Sequence, residues 1–149
     1  EIKEWFKAVD KLAIKYPQYD FVLPAHPNPE VQKCLNVLTK VTVCEPFEHK
    51  DFVEELASCY AVVTDSGGIQ EEAAFLGKPC VVCRDFTERS EGIGTHALLC
   101  ESYDKLDKIF IKTLNLKLNE VDCPYGDGKT GKRVTDILLE HFNLLEGEK

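Results

Sequence analysis

The sequence predicts a Rossmann-like α/β domain, in which a doubly wound parallel sheet is covered by helices on both faces. Short apolar runs rich in β-branched residues alternate with segments whose apolar residues recur every three or four positions. Parallel neighbours need a crossover, usually a helix, and strands buried on both faces are continuously apolar. A length of 149 residues fits one domain. We therefore interpret residues 1–149 as a single unit.

The predicted elements alternate along the chain as such a sheet requires. An amphipathic helix begins at Ile2 and ends near Pro17, and two helices close the chain after the last strand. The loops that follow the strands should gather at one edge of the sheet, where doubly wound folds bind their ligands. Strands are predicted over 19–25, 41–44, 60–64, 80–83 and 96–100, and the later helices over 30–38, 50–58, 69–76, 103–116 and 129–145.

Composition limits the possible partners and the compartment. A net charge of −8 argues against broad binding to nucleic acid or to an anionic membrane. No run approaches the roughly 18 apolar residues that span a bilayer, and the charged segment 1–10 is unlike a signal peptide. We expect a cytoplasmic protein that binds neither nucleic acid nor membrane.

Cysteine usage supports a reducing compartment. The seven cysteines lie mostly in or beside apolar segments, as free thiols do in such compartments. Cys80 and Cys83 have the CxxC spacing of a redox or zinc pair, but they lie in a β-branched run and no second pair follows. We expect structural thiols, with no metal and no cofactor.

The segment Ser66-Gly67-Gly68 is the strongest candidate site, because a predicted strand stops there and a helix begins. Two residues without Cβ atoms let backbone amides approach a ligand, and the start of a helix has unpaired donors and partial positive charge. Phosphate suits such a site. The alternative is a plain helix cap by Ser66 or Asp65, which occurs in many helices that bind no ligand.

Other polar residues near this edge allow two interpretations each. Glu71 or Glu72 can interact favourably with the positive end of the helix dipole or accept hydrogen bonds from ribose hydroxyls. Arg84 and Arg89 can bind phosphate or form surface ion pairs with neighbouring carboxylates. His26, at a strand end, can contact a polar ligand or be structural. Without a nucleophile–base pair or metal-ligand spacing, the residues predict a binding site and no catalytic residue.

With these residues assembled, the chain resembles the carboxyl-terminal half of UDP-N-acetylglucosamine 2-epimerases. That resemblance implies one half of a two-domain architecture of the glycosyltransferase-B type, and it extends over nearly the whole chain. The segments that resemble the family, in the family's order, are 64–73, 76–79, 84–85, 87–89 and 124–128.

The resemblance also implies roles for seven residues. Ser66, Gly67 and Gly68 match the residues that hold the UDP diphosphate in the family, and Glu72 matches the one that binds the ribose hydroxyls. These four residues form the proposed cradle of UDP.

The other three matched positions lie in separate segments of the chain. Phe52 falls where the family's main chain meets uracil, Arg89 matches a ligand-contacting arginine, and His26 matches a histidine near the interdomain cleft. Two departures concern the same region: Phe47 stands where many members have a polar residue near uracil, and Ser90 replaces the family's proline. The segment 91–99 is also about two residues shorter than in the family pattern.

The family's chemistry implies that UDP is eliminated across the C1–O bond to leave a glycal. UDP then re-adds with inversion at C2, or water attacks and releases N-acetylmannosamine. The acid and base carboxylates belong to an amino-terminal domain, and the hinge motif His-Arg-Arg-Glu-Asn would precede Glu1. We therefore expect one half of a longer, homodimeric enzyme of cell-surface polysaccharide biosynthesis, itself without catalytic residues.

Two other functions remain open at this point. A nucleotide-sugar-dependent glycosyltransferase of the same architecture would use the same cradle for its donor. A non-catalytic module that senses or scaffolds nucleotide sugars would retain the fold without the chemistry.

Overall fold

A computed structural model of the chain describes residues 1–118 and 122–146. Within these ranges, short strands alternate with helices in the predicted order. The strands are β1 (Val22–Pro24), β2 (Thr42–Cys44), β3 (Val62–Thr64), β4 (Cys80–Val82) and β5 (Ala97–Leu99). The α-helices are α1 (Ile2–Lys15), α2 (Pro29–Gln32), α3 (His49–Ser58), α4 (Gly67–Phe75), α5 (Leu106–Leu114) and α6 (Thr130–Glu146). Single 3₁₀ turns cover Leu35–Val37, Ser90–Gly92 and Tyr103–Lys105.

Every strand pair is parallel, which confirms the predicted fold class. β1 pairs with β2, and β4 lies between β3 and β5 in a second ladder. The two ladders approach each other through Tyr19 and Tyr60, which precede β1 and β3 and stack with ring centroids 5.3 Å apart. Parallel pairing places the carboxyl end of β3, where the candidate site begins, beside the carboxyl end of β4.

β4 is the centre of the core, because its side chains are buried on both faces. Val81 packs in one cluster with Leu12 of α1 and Phe110 of α5, whereas Cys80 and Val82 pack in another with Ala73 of α4. Helices therefore cover both faces of the β3–β4–β5 ladder, as a doubly wound sheet requires.

The expectation that every strand is buried on both faces is wrong for the first ladder. Val22 of β1 and Val43 of β2 are 53% and 40% exposed. The strand predicted over 19–25 is also shorter. Tyr19 and Phe21 pack their rings around Phe110 of α5, with centroids 6.3 and 6.0 Å from the Phe110 centroid. The Phe21 carbonyl also accepts from the Thr42 amide of β2 at 2.8 Å, so its apolar side chain serves core packing next to the paired strands.

Three further predicted elements differ in extent from the structure. The helix expected over 30–38 divides into α2 and the turn Leu35–Val37, which lies against α1. The helix expected from residue 103 begins with a 3₁₀ turn, and the connection between β4 and β5 contains another, Ser90–Gly92. The closing helix expected over 129–145 is present as α6, with exposed apolar side chains at Val134, Ile137, Leu138, Leu139 and Phe142.

The thiols are all free, and those of the CxxC pair lie in the core. Cys80 is 1% exposed, and burial raises the pKa of its thiol to about 12. Burial also raises the pKa of Cys83. Within residues 1–118 and 122–146, no group of His, Cys, Asp and Glu side chains is arranged to hold a metal ion. None of the helices described there combines the length and apolar character of a membrane span.

Candidate functional site

The strongest candidate site lies at the start of α4, directly beyond the carboxyl end of β3. Ser66 is the N-cap residue, with φ −90° and ψ 128°. The Gln70 amide donates to the Ser66 carbonyl at 3.1 Å, which closes the first turn of α4. The amides of Gly67, Gly68 and Ile69 precede this bond, so the helix supplies no acceptor for them. Three donors and the positive end of the helix dipole therefore converge at this point.

The Ser66 hydroxyl does not act as a helix cap. Its side chain makes no capping hydrogen bond, while its amide donates to Thr64 Oγ1 at 3.1 Å. A serine that serves only as a cap would accept from one of the first helical amides. The hydroxyl is thus available to a ligand oxygen, which favours the ligand-binding interpretation over the plain cap.

Arg89 lies against the same helix start. A Cβ atom on Gly67 would overlap the Arg89 guanidinium, so the two residues are in direct contact. Arg89 Nε donates to Glu71 Oε1 at 2.5 Å, and Nη1 pairs with Glu88. The hydrogen bond to Glu71 is the largest cause that raises the pKa of Arg89. The guanidinium remains charged and adds to the positive potential of the helix start.

The backbone of Arg89 is fixed by three polar side chains. Gln70, only 1% exposed, donates from Nε2 to the Arg89 carbonyl at 2.9 Å and accepts from Thr87 Oγ1 at 2.9 Å. Tyr125 donates to the same carbonyl at 2.9 Å, and the Arg89 amide donates to Thr87 Oγ1 at 3.2 Å. The loop that contains Arg89 is therefore tied both to α4 and to the segment around Tyr125.

Arg84 forms a surface ion pair with Glu88, which is the second of the two interpretations predicted for this arginine. Its Nη1 donates to Glu88 Oε2 at 3.0 Å, and the two side chains are 36% and 54% exposed. The pKa of Glu88 is lowered most by a hydrogen bond from the Glu88 backbone, and the charges of Arg84 and Arg89 lower it further. Of the two arginines, the structure thus places Arg89 at the helix start.

Glu72 and Phe52 occupy different helices near this edge. Glu72 is half-buried, and its carboxylate makes no hydrogen bond within residues 1–118 and 122–146. Phe52 is half-buried in α3, and its amide donates to the Glu48 carbonyl at 2.9 Å. Both assignments stay predictions.

His26 is exposed in the loop after β1. The Asn28 amide donates to His26 Nδ1 at 3.1 Å, so a neutral ring has its proton on Nε2. Gln32 Nε2 donates to the His26 carbonyl at 3.0 Å and braces the loop. Among the hydrogen bonds of the described ranges, none joins His26 or Phe52 to α4. The structure brings together Ser66, Gly67, Gly68 and Arg89, whereas His26 lies in the loop after β1 and Phe52 lies in α3.

Two open cavities lie outside the helix start. One of about 310 Å³ lies at the carboxyl ends of β1 and β2, lined by Ala25, Gln32, Leu35, Val43, Cys44 and Glu45. The other, of about 340 Å³, lies between α1 and the segment 103–107, away from these strand ends. The first is at the edge where doubly wound sheets bind ligands, so we relate only that one to the site.

Sequence reasoning missed the anchors of the Arg89 loop. Gln70 and Tyr125 lie within segments that resemble the family, but no role was predicted for either. A signal was present for Gln70, because it shares one face of α4 with the buried Ala73 and Ala74. A glutamine in an apolar face needs hydrogen-bond partners. Nothing comparable in the sequence pairs Tyr125 with Arg89, which lies 36 residues away.

Comparisons of the sequence and of the fold with known proteins identify one family. A family model described as UDP-N-acetylglucosamine 2-epimerase matches residues 1–139. The UDP-N-acetylglucosamine 2-epimerase of Neisseria meningitidis shares 36% sequence identity with this chain over an alignment that covers 94% of it. The Bacillus subtilis enzyme of the same name shares 33% identity over 95% of the chain. The crystal structure of the N. meningitidis enzyme bound to UDP-GlcNAc superposes with a TM-score of 0.80 at 34% identity over 93% of the chain. The S. aureus MnaA–UDP co-structure superposes with a TM-score of 0.85 at 31% identity over 96% of it.

The chain spans about two fifths of the length of these relatives. It covers 41% and 40% of the two curated enzymes, and 40% and 41% of the two solved chains. The family model, in contrast, matches nearly all of the sequence. This chain belongs to the UDP-N-acetylglucosamine 2-epimerase family.

Proposed function

We propose that residues 1–149 form the UDP-binding half of a UDP-N-acetylglucosamine 2-epimerase. The observation that supports this most directly is the convergence at Gly67 of the α4 amides and the Arg89 guanidinium. Amides and a guanidinium are the donors that bind phosphate oxygens best. A diphosphate at this site would lie over Gly68 and the Ser66 hydroxyl, beside the Arg89 guanidinium that packs on Gly67.

The remaining assignments extend this proposal to the whole nucleotide. Glu72 accepts hydrogen bonds from the ribose hydroxyls, since its carboxylate is free of protein partners within the described ranges. The main chain at Phe52 contacts uracil, and His26 faces the cleft where the sugar lies. Each of these contacts is a hypothesis based on the family resemblance.

The proposed chemistry gives this half a defined task. When UDP departs from C1 of the sugar, negative charge develops on the leaving diphosphate. Fixed donors at the start of α4 and the charge on Arg89 stabilise that developing charge more strongly than the ground state. The proton transfers are assigned to carboxylates of the other half of the family architecture, so we expect no epimerase turnover from residues 1–149.

The longer protein is proposed to convert UDP-GlcNAc to UDP-ManNAc, or to hydrolyse it to ManNAc and UDP, as a cytoplasmic homodimer. Incubation of that protein with UDP-GlcNAc and separation of the products distinguishes the two reactions. Transfer of the sugar to an added acceptor, with no epimer formed, would instead indicate a glycosyltransferase.

A calorimetric or NMR titration of the 149-residue chain with UDP tests the binding site. We expect millimolar binding, and a loss of about fivefold or more in affinity for Ser66→Ala and for Glu72→Ala, since each removes a hydrogen-bonding group from the ligand. Ser58→Ala is the matched control, because Ser58 ends α3 and its hydroxyl, within residues 1–118 and 122–146, donates only to the Glu55 carbonyl, at 2.9 Å. Unchanged UDP affinity in both site variants would contradict the assignment.

A further inference from the structure

The position of Arg89 is electrostatically unfavourable without its carboxylate partners. The start of α4 has a partial positive charge, which disfavours a nearby cation. Yet the guanidinium packs directly on Gly67, the first residue of that helix. Some other interaction must therefore hold the side chain there, and the choice is between Glu71 and Glu88.

Glu71 is placed to orient the guanidinium. Gly67 and Glu71 are four residues apart in α4, so they lie on the same face of the helix. Glu71 accepts from Nε, the nitrogen nearest the aliphatic stem, at 2.5 Å. A bond at Nε fixes the plane of the guanidinium, and of its atoms the terminal nitrogen Nη1 comes nearest to the position of a Cβ on Gly67.

Glu88 holds the same arginine in a different way. It is the chain neighbour of Arg89, its side chain is 54% exposed, and it pairs with the terminal nitrogen Nη1. It is shared with Arg84, at 3.0 Å. A phosphate oxygen would compete with Glu88 for a terminal nitrogen, but it would not compete with Glu71 for Nε.

We propose that Glu71 is a positioning residue for the diphosphate site. Its carboxylate holds Arg89 Nε, so that the guanidinium faces the amides of α4. This inference rests on the proposed UDP-binding function and assigns a role to a residue that does not itself touch the ligand. The net effect of Glu71 on the affinity for a diphosphate is favourable, although a carboxylate by itself repels a nearby diphosphate.

That repulsion makes the sign of a substitution informative. UDP titrations of the 149-residue chain should show Glu71→Ala binding about fivefold more weakly than wild type, because Arg89 is no longer oriented. Glu88→Ala is the matched control, since it also removes one carboxylate from Arg89. We expect Glu88→Ala to bind UDP as tightly as wild type or more tightly.

Two further measurements separate positioning from misfolding. Combined with Arg89→Ala, Glu71→Ala should cause no additional loss of UDP affinity, since its effect requires the guanidinium. The NMR signal of the Arg89 Nε–H group should become faster to exchange with water in Glu71→Ala, while the amide signals of the β4 core remain unchanged.

The outcomes also separate this inference from the function on which it rests. If the wild-type chain does not bind UDP, the proposed function fails. If the wild-type chain binds UDP and Glu71→Ala binds equally well or better, only the positioning role is overturned. A loss that persists in the Arg89→Ala background would likewise overturn it.

Discussion

Gln70→Met should destabilise the folded chain by about 2 kcal/mol. Gln70 is 1% exposed and makes three hydrogen bonds, with lengths of 2.9 Å to the Arg89 carbonyl, 3.0 Å to Tyr125 Oη and 2.9 Å from Thr87 Oγ1. At about 1 kcal/mol each, their loss costs about 3 kcal/mol. Methionine keeps most of the volume, and the half-buried Thr87 hydroxyl can reach water, which reduces the cost.

Urea unfolding, followed by circular dichroism and by the fluorescence of the single tryptophan, Trp5, measures this effect. With a slope of about 2 kcal/mol per molar urea, the midpoint should fall by about 1 M. Gln32→Met makes the same chemical change at an exposed glutamine with one hydrogen bond, to the His26 carbonyl at 3.0 Å. Its free energy of unfolding should change by less than about 0.5 kcal/mol.

A result in which the two variants unfold at the same midpoint would refute the reasoning. It would mean that the buried hydrogen bonds of Gln70 contribute no more to stability than a single surface bond. The role of the Gln70 side chain as an anchor of the Arg89 loop would then have no energetic basis.

Three other predictions concern stability away from the site. Burial raises the pKa of Asp10, but hydrogen bonds from Lys40 and Thr39 outweigh it and lower the pKa below the ordinary 3.8. The ionised Asp10 therefore stabilises the folded chain above pH 3.8. That stabilisation is lost as the pH falls through the lower pKa of the folded state. Acid unfolding of Asp10→Asn should therefore show a smaller drop in stability below pH 4 than wild type. Ile137→Asp, at a site 63% exposed on α6, should change the free energy of unfolding of the 149-residue chain by less than about 0.5 kcal/mol. Leu106→Ala, at a site 1% exposed, should cost about 3 kcal/mol in the same urea experiment and is its positive control.

Local sequence signals predicted most of the fold, because the elements around β4 follow their own apolar patterns. The predicted strand 80–83 and the helix 69–76 are close to β4 and α4 as observed. Prediction was less accurate where distant packing determines the backbone. The helix expected over 30–38 ends early, and just beyond it the amides of Thr39 and Lys40 donate to Asp10 at 2.7 Å each. Asp10 lies 29 residues before Thr39, and no local pattern reveals that pairing.

The site shows the same division between local and distant information. The glycine turn before α4 is readable from adjacent residues, and so is its fitness for phosphate. The partners that position Arg89 are not, because Glu71 precedes it by 18 residues and Tyr125 follows it by 36. The sequence offers several carboxylates near both arginines, and only the folded loop selects among them.

The two glycines of the turn illustrate why a pattern alone gives an incomplete explanation. From the sequence, both were expected to let the backbone approach a ligand. In the structure both are the first residues of α4, so neither is needed for a left-handed conformation. A Cβ on Gly67 would overlap the Arg89 guanidinium, whereas one on Gly68 would meet only Ser66 Oγ, at 3.9 Å. Gly67 is thus required by an internal contact, and the open space for a ligand lies at Gly68 and the Ser66 hydroxyl.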